Sequence, residues 1–306
     1  MRKLVSHALR IPYGIFNFLA YRGFFKWIPD ELFLKMRYRA TMGKKLDLNT
    51  PRTFNEKLQW LKIHDRNPLY TTLADKYAVR EYIRKKLGEE YLIPLVGGPW
   101  QNANEIDFDR LPNQFVLKCT HDSGGIVICR DKDELDIKSA KKMLNRKLRK
   151  NYFYWGREWP YKNIKPQIIA EKYVGNNTDR IQHQPVDYKI FCFDGEPKII
   201  MTVTGGHDNE RNIIRRFYDV EWNKQKIGVH GKNNYSEAES QPAQLSQLLD
   251  ISKKLSTGIK HVRLDFYIIN ETIKFGEFTF YHMSGFEKFS PEKWNLKLGK
   301  WINIKK

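Results

Sequence analysis

The chain is short of acid. Against 54 Lys and Arg stand only 35 Asp and Glu, a formal net charge of +19 over 306 residues. So strong an imbalance implies an anionic partner: nucleic acid, anionic lipid, an acidic polymer or nucleotide phosphates. Cysteine is scarcer still. Cys119, Cys129 and Cys192 are the only three, each inside an apolar, strand-like run. That excludes a disulfide framework and a thiolate zinc site, and it fits reduced core thiols in a cytoplasmic protein. Apolar runs never reach the roughly eighteen residues that a membrane-spanning helix needs. Leu4 to Ile15 is interrupted by His7, Arg10, Pro12 and Gly14, unlike a cleavable leader. Zinc-finger, RNP and basic-zipper patterns are missing, and the basic residues are spread along the chain, which disfavours nucleic acid.

Hydrophobic residues make up 41% of the chain, enough to bury a substantial core. Residues 1–40 stand apart, with eight Lys/Arg, two acids and nine aromatics. Such a segment suits peripheral contact with an anionic membrane face, its aromatics in the interface and its cations at the headgroups. A helical hairpin packed on the body is the other reading of the same residues. Residues 41–112 read as a helical region. Thr53 and Glu56 form a capping-box pair ahead of Leu58, Leu61 and Ile63, and a second helix runs from Leu73 to Leu87 with Gly88 as its stop. Beyond a turn at Gly97-Gly-Pro99 the pattern changes to strands: Phe115–Cys119, Ile126–Cys129, Ile168–Val174, Asp187–Phe193 and Lys198–Thr204. A basic helix over about 134–150 and another over about 243–255 are interspersed. Hairpin-type connections make this an α+β chain with antiparallel sheets, not a doubly wound fold.

The most informative stretch lies near the C-terminus. In His261-Val-Arg-Leu-Asp-Phe-Tyr267, strand periodicity puts Arg263, Asp265 and Tyr267 on one face, with Leu264 and Phe266 on the other. The next strand holds Ile273, Phe275, Glu277 and Thr279 on one face by the same period. If Ile269 pairs with Ile273, Asp265 lies opposite Glu277. Facing carboxylates repel, and a divalent cation between them removes the penalty; magnesium bridging to phosphates is the usual occupant. Upstream, Lys118 ends an apolar strand, and the turn carrying Gly124 and Gly125 follows it. A glycine turn offers backbone N–H groups to phosphate oxygens, and a nearby lysine adds a mobile cation. No helix follows, so this is not a Walker loop. Lys189 could reach a phosphate, and the Ile168–Val174 strand edge with Glu171 could meet an adenine and its ribose. Each signal alone is weak, and an ordinary turn or a solvated face explains it as well.

Their order is more specific. A strand with Lys118 and a Gly-Gly hairpin, a strand with Glu171 and Tyr173, then Asp265 and Glu277 on a hairpin resembles an ATP-grasp enzyme. The stretches Thr53-Phe-Asn-Glu-Lys57, Asp75-Lys-Tyr77, Phe115-Val-Leu-Lys118, Gly156-Arg-Glu-Trp-Pro160, Asp187-Tyr-Lys189, Phe191-Cys-Phe-Asp-Gly195, Arg263-Leu-Asp265 and Phe275-Gly-Glu-Phe-Thr279 resemble the TupA-like ATP-grasp family, associated with teichuronopeptide and capsular polysaccharide biosynthesis. The resemblance runs from about Arg37 to Lys288. It implies two antiparallel-sheet lobes that clamp ATP, a lid lobe over 113–174 and a metal-bearing lobe over 175–306.

By the same resemblance Lys118 and Lys189 contact ATP phosphates, and Gly124 and Gly125 form the lid. Glu171, Tyr173 and Val174 line the adenine-ribose pocket, and Asp265 and Glu277 hold Mg2+. Arg263, on the face of Asp265, is our own candidate for orienting the reacting carboxylate or acyl phosphate. Thr279 stands where many ATP-grasp enzymes have a metal-binding Asn; its hydroxyl can still be a ligand. The implied activity is ligation of an amino acid or peptide to an acidic surface polysaccharide, or its lipid-linked precursor, at the inner membrane face. A glycosyltransferase would often carry Asp-x-Asp, which here occurs as Asp107-Phe-Asp109 in a loop-like segment and as Asp131-Lys-Asp133. A sugar or polymer kinase and a non-catalytic binding module complete the alternatives.

Overall fold

The computed structural model describes residues 13–175, 185–205, 213–229 and 237–304. Five helices open it: α1 (Tyr13–Tyr21), α2 (Asp30–Met42), α3 (Phe54–His64), α4 (Leu69–Ala74) and α5 (Val79–Lys86). The Thr53 hydroxyl accepts from the Glu56 backbone N–H, and the Glu56 carboxylate accepts from the Thr53 N–H, so the expected capping box starts α3. Such a cap contributes about 1 kcal/mol.

The single helix expected over 73–87 is two. Asp75 ends α4, and its Oδ1 accepts from the backbone N–H groups of Tyr77 and Ala78 at the start of α5. Asp prefers such local backbone bonds to a helix interior, which overrides the apolar periodicity. The expected turn at Gly97-Gly-Pro99 lies instead within strand β1 (Leu95–Trp100), which pairs with β4 through two register irregularities. Glycine and proline are tolerated there because β1 is an edge strand.

Two antiparallel sheets carry the rest. The first has the order β1-β4-β2-β3, with β2 (Phe115–Cys119), β3 (Ile126–Cys129) and β4 (Ile168–Lys172). Its core of Phe115, Leu117, Cys119, Cys129 and Ala170 packs with Leu144 of helix α6 (Ile137–Leu148). The second has the order β11-β10-β5-β6-β7-β8, with β5 (Asp187–Phe193), β6 (Glu196–Thr204), β7 (Ile214–Tyr218), β8 (Lys224–Gln225), β10 (His261–Ile269) and β11 (Thr272–Thr279). A short pair, β9 (Gly228–Val229) with β12 (Phe289–Ser290), stands apart. Helix α7 (Phe153–Gly156) follows α6, while α8 (Leu245–Ser256) packs on β5, β6 and β10, and α9 (Lys293–Lys300) packs on α3. Cys119, Cys129 and Cys192 are buried free thiols, as expected.

Within residues 13–40 the hairpin reading holds. Phe16, Ala20, Ile28, Phe33, Leu34, Met36 and Tyr38 are buried with Phe286 of the main body. Ile15, Phe18, Phe24 and Trp27 stay exposed. Residues 1–12 lie outside the described ones.

Candidate active site

The β10–β11 hairpin reaches its register by a route the spacing did not reveal. Its turn is Asn270-Glu271 alone, both residues left-handed (φ 47° and 62°), so Ile269 pairs with Thr272, not Ile273. Continued unbroken, that register would set Asp265 opposite Gly276. A bulge between Asp265 and Phe266 absorbs the extra residue, and Asp265 pairs with Glu277 after all. Gly276 suits the bulge because a Cβ there would crowd the Asp265 carbonyl oxygen at 3.0 Å. The bulge also reverses the side-chain alternation. Ile273, Phe275 and Phe278 face the core, so Ile273 and Phe275 do not share a face with Glu277 and Thr279 as periodicity alone suggested.

Three cross-strand rows result. Asp187 of β5 lies beside Tyr267 of β10; Lys189 beside Asp265, then Glu277; and Phe191 beside Arg263, then Thr279. Arg263 grips Asp265 with two bonds, Nε to Oδ1 and Nη2 to Oδ2, both 2.7 Å. Its Nη2 also donates to Thr279 Oγ1 at 3.0 Å and Glu277 Oε1 at 3.4 Å. Lys189 Nζ donates to Asp265 Oδ2 at 2.5 Å and also pairs with Asp187. The repulsion between Asp265 and Glu277 is therefore relieved by the protein's own cations. A metal is not required to hold these acids together, contrary to the argument from spacing.

Electrostatics follow from burial and pairing. Burial works to raise the Asp265 pKa, but Arg263 and Lys189 outweigh it and hold the carboxyl below its usual range. Lys189 moves the other way: burial lowers it, Asp265, Asp187 and Glu277 together more than compensate, and the ammonium is stabilised. Asp187 is pushed up to about 6, first by burial, with Lys189 opposing and Asp265 adding to the rise. Its Oδ1 is buried without a hydrogen-bond partner among the described residues. His282 is kept neutral by burial, so its Nδ1 can accept from Arg263 Nη1 at 2.8 Å.

That histidine sits on a strained turn. Met283 and Ser284 are left-handed at φ 47° and 54°, a cost of about 1–3 kcal/mol each. Helix α3 holds the turn in place. Gln59 Nε2 donates to the carbonyls of Ser284 and Gly285, Asn55 Nδ2 to Glu287, and the buried Lys62 ammonium to Ser284 O, Ser284 Oγ and Gly156 O. Burial lowers Lys62 to about 7, with Glu158 opposing, and burial raises Glu158. The Thr53–Lys57 and Gly156–Pro160 stretches thus serve to position Arg263 through His282.

The first sheet presents a matching group. Lys118 Nζ donates to Glu171 Oε2 at 2.5 Å, and Arg80 of α5 reaches Glu171 Oε1 at 3.3 Å and the Ile93 carbonyl at 2.8 Å. The glycine turn is partly tied down. Gly125 N–H donates to Asp122 Oδ1 at 3.2 Å, Lys76 Nζ to the Asp122 carbonyl at 2.5 Å, and Ser123 and Gly124 form the exposed tip.

Between the sheets lies a cleft of about 250 Å³. Lys118, Glu171, Tyr173 and Val174 line it from one side, and Asp187 and Tyr267 from the other. Its remaining walls are largely apolar, including Val116, Ile126, Ile128 and Val203. Burial, Asp187, Asp265, Glu277 and Glu171 together push the Tyr267 hydroxyl well above its ordinary pKa, so acids of both sheets bear on one phenol. Lys118 and Asp187 therefore open on one space, and Lys189 links Asp187 to Asp265 behind it.

The TupA-like ATPgrasp family profile matches residues 56–303. The chain belongs to the TupA-like ATP-grasp family. Its fold is accordingly ATP-grasp, with mixed helices and antiparallel sheets as expected. Among solved structures, D-alanine–D-alanine ligase from Bacillus anthracis is 14% identical, covering 68% of this chain and 57% of that one at a TM-score of 0.40. The Helicobacter pylori D-alanine–D-alanine ligase gives 14%, 77%, 60% and 0.41. ATP-grasp ligase PsnB, solved with a precursor variant, Mg and ADP, gives 10%, 85%, 64% and 0.40. The chain thus spans 57% to 64% of these three proteins. No curated protein matches significantly.

As a magnesium site the TupA-like residues fit in chemistry. Asp265, Glu277 and Thr279 supply only hard oxygen donors, and all three reach one guanidinium nitrogen. Thr279 Oγ1 and Glu277 Oε1 are 3.0 Å apart, close to the spacing of about 2.9 Å between adjacent ligands at octahedral magnesium distances. Glu277 is the accessible member; Asp265 is covered by Arg263 and Lys189. Among the described residues no group of three or more His, Cys, Asp or Glu forms a metal cluster, so any binding here needs the hydroxyl or phosphate oxygens.

Sequence reasoning gave no role to Asp187, Arg80, His282 or Tyr267. Asp187 and Tyr267 were open to discovery, each two residues from a named site residue on the same face. Arg80 and His282 arrive from other elements and carry no local signal. Arg216 of β7 is engaged by Glu239 and Thr204.

Proposed function

We propose that this protein is an ATP-dependent carboxylate–amine ligase that works through an acyl phosphate, joining an amino acid or peptide to an acidic surface polysaccharide or its precursor. One observation carries the reading. The Lys118–Glu171 pair and Asp187 line opposite sides of a single cleft, and Lys189 bridges Asp187 to Asp265, which Arg263 grips.

The base and ribose of ATP lie against Tyr173, Val174 and the apolar walls, with Glu171 and the unpartnered oxygen of Asp187 as polar contacts. Lys118 and Lys189 turn from their carboxylates to the phosphates. Gly124, at the tip, and Gly125, behind it, close over them. A substrate carboxylate oxygen attacks the γ-phosphorus and ADP departs; an amine then attacks the acyl carbon, loses a proton, and phosphate leaves. Mg2+ held by Glu277, Thr279 and Asp265 would neutralise charge on the transferring phosphoryl group. Arg263, fixed by Asp265 and His282, orients the carboxylate and stabilises charge on its oxygen. Lid closure keeps water from the acyl phosphate. No side-chain nucleophile is needed.

The net charge of +19 supports a polyanionic acceptor, and the exposed Ile15, Phe18, Phe24 and Trp27 support a peripheral membrane contact. Among the described residues no helix is long and apolar enough to cross a membrane. Carboxylate-dependent release of ADP and free phosphate, with an amide found by mass analysis, tests the reading. A phosphorylated acceptor would make the protein a kinase, and indifference to ATP would refute the assignment.

A further inference from the structure

A second hollow, larger than the cleft between the sheets, lies elsewhere in the described residues. A cavity of about 600 Å³ lies at the turn end of the β2–β3 hairpin. Its walls come from the segment after α1, from the lid turn at Asp122 and Ser123, from the end of α6, and from α7. Arg22, Lys26, Lys147, Arg149 and Lys150 line it against one acid, Asp122, which Lys147 already approaches at 3.5 Å. The remaining wall is aromatic: Tyr152, Tyr154 and Trp155. Cations with flat rings suit a carboxylated sugar, whose acid group pairs with the cations while its C–H faces stack on the rings. The volume admits about two to three sugar units, within the usual range for ligand sites.

Position ties this cavity to the chemistry. Ser123, at the tip of the lid, and Tyr152 both line the cavity. The Tyr152 ring packs edge-on against Tyr161 with centroids 4.9 Å apart. Tyr161 in turn lies in the field of Glu277 and Arg263. One aromatic pair therefore separates the cavity from the carboxylate row.

We infer that this cavity is the acceptor subsite, where a uronic acid unit of an anionic glycan docks between the lid tip and the segment after α1. The inference rests on the ligase reading for its role in catalysis, but the site itself can be tested without turnover. Trigalacturonate and maltotriose would be titrated calorimetrically into the full chain at fixed salt, alongside ATP. Trigalacturonate should bind saturably and maltotriose should not. Lys26→Glu with Arg149→Glu should weaken trigalacturonate by about tenfold or more and leave ATP affinity unchanged. A control of equal charge, Lys198→Glu with Lys254→Glu, alters two exposed lysines on elements that contribute nothing to the cavity. It should stay within about twofold of wild type, since distant exposed charges are screened. No trigalacturonate binding, equal losses in both variants, or equally strong competition by inorganic phosphate would overturn the assignment. Binding that behaves as expected without any amide product would instead sink the ligase reading and leave the site standing.

Discussion

The two walls of the cleft solve one problem with different stiffness. Each holds a carboxylate between a lysine and an arginine: Glu171 with Lys118 and Arg80, Asp265 with Lys189 and Arg263. On the second sheet the arginine is bidentate at 2.7 Å and His282 holds its far side. On the first the arginine makes a single contact of 3.3 Å, and the lysine is the more exposed, at 20% against 14%. A rigid wall suits the reacting carboxylate and phosphoryl group, and a looser one suits a lid that must open. Preorganised charge acts without reorganising during the reaction, whereas a closing cation must first let go of its partner.

Five substitutions would break or sharpen that contrast. Asp265→Asn removes the charge that holds Arg263 and Lys189; ATP turnover should fall about 10²- to 10⁴-fold, measured as ADP release by a still-folded protein. Lys62→Met should cost about 3–5 kcal/mol of stability, because it leaves the buried Gly156 and Ser284 carbonyls without their donor and frees the strained turn behind His282. Denaturant melts read this, and a loss below about 1 kcal/mol would show that α3 does not brace the rigid wall. Lys118→Ala should weaken ATP by about tenfold while leaving the melt nearly unchanged, since Arg80 still neutralises Glu171. A melt that falls as far as that of Lys189→Ala would erase the difference between the walls.

The smallest effect is on pH dependence. Folding raises the Asp187 pKa from about 3.8 to about 6, so between these values the folded state binds more protons and wild-type stability declines as pH rises. Asp187→Asn should match wild type near pH 4 and gain on it by pH 7.5. Parallel melting curves across that range would contradict the buried, partly uncompensated charge.

Much of this was legible in the chain because period-two alternation fixes which side chains share a face. Arg263, Asp265 and Tyr267 needed nothing more. Across the hairpin the same rule placed Asp265 opposite Glu277 for the wrong reason, since a two-residue turn and a bulge at Gly276 combine to give that pairing. A bulge is one residue of backbone geometry, and only the glycine hints at it. The α4–α5 break escaped because Asp75 competes through local hydrogen bonds that periodicity ignores. Groups brought in from distant elements, such as Arg80 onto Glu171 and His282 onto Arg263, are products of tertiary packing alone. So is the basic cavity, whose walls are drawn from three separate stretches.

The central claim is that both walls grip one nucleotide. A double-mutant cycle on magnesium-dependent ATP binding, using Lys118→Ala and Asp265→Asn with Glu277→Gln, tests it directly. Joint action predicts that each arm weakens ATP and that their effects are strongly non-additive, because a nucleotide released by one wall no longer engages the other. Unchanged ATP affinity in the Asp265/Glu277 variant, or effects that simply add, would contradict the account.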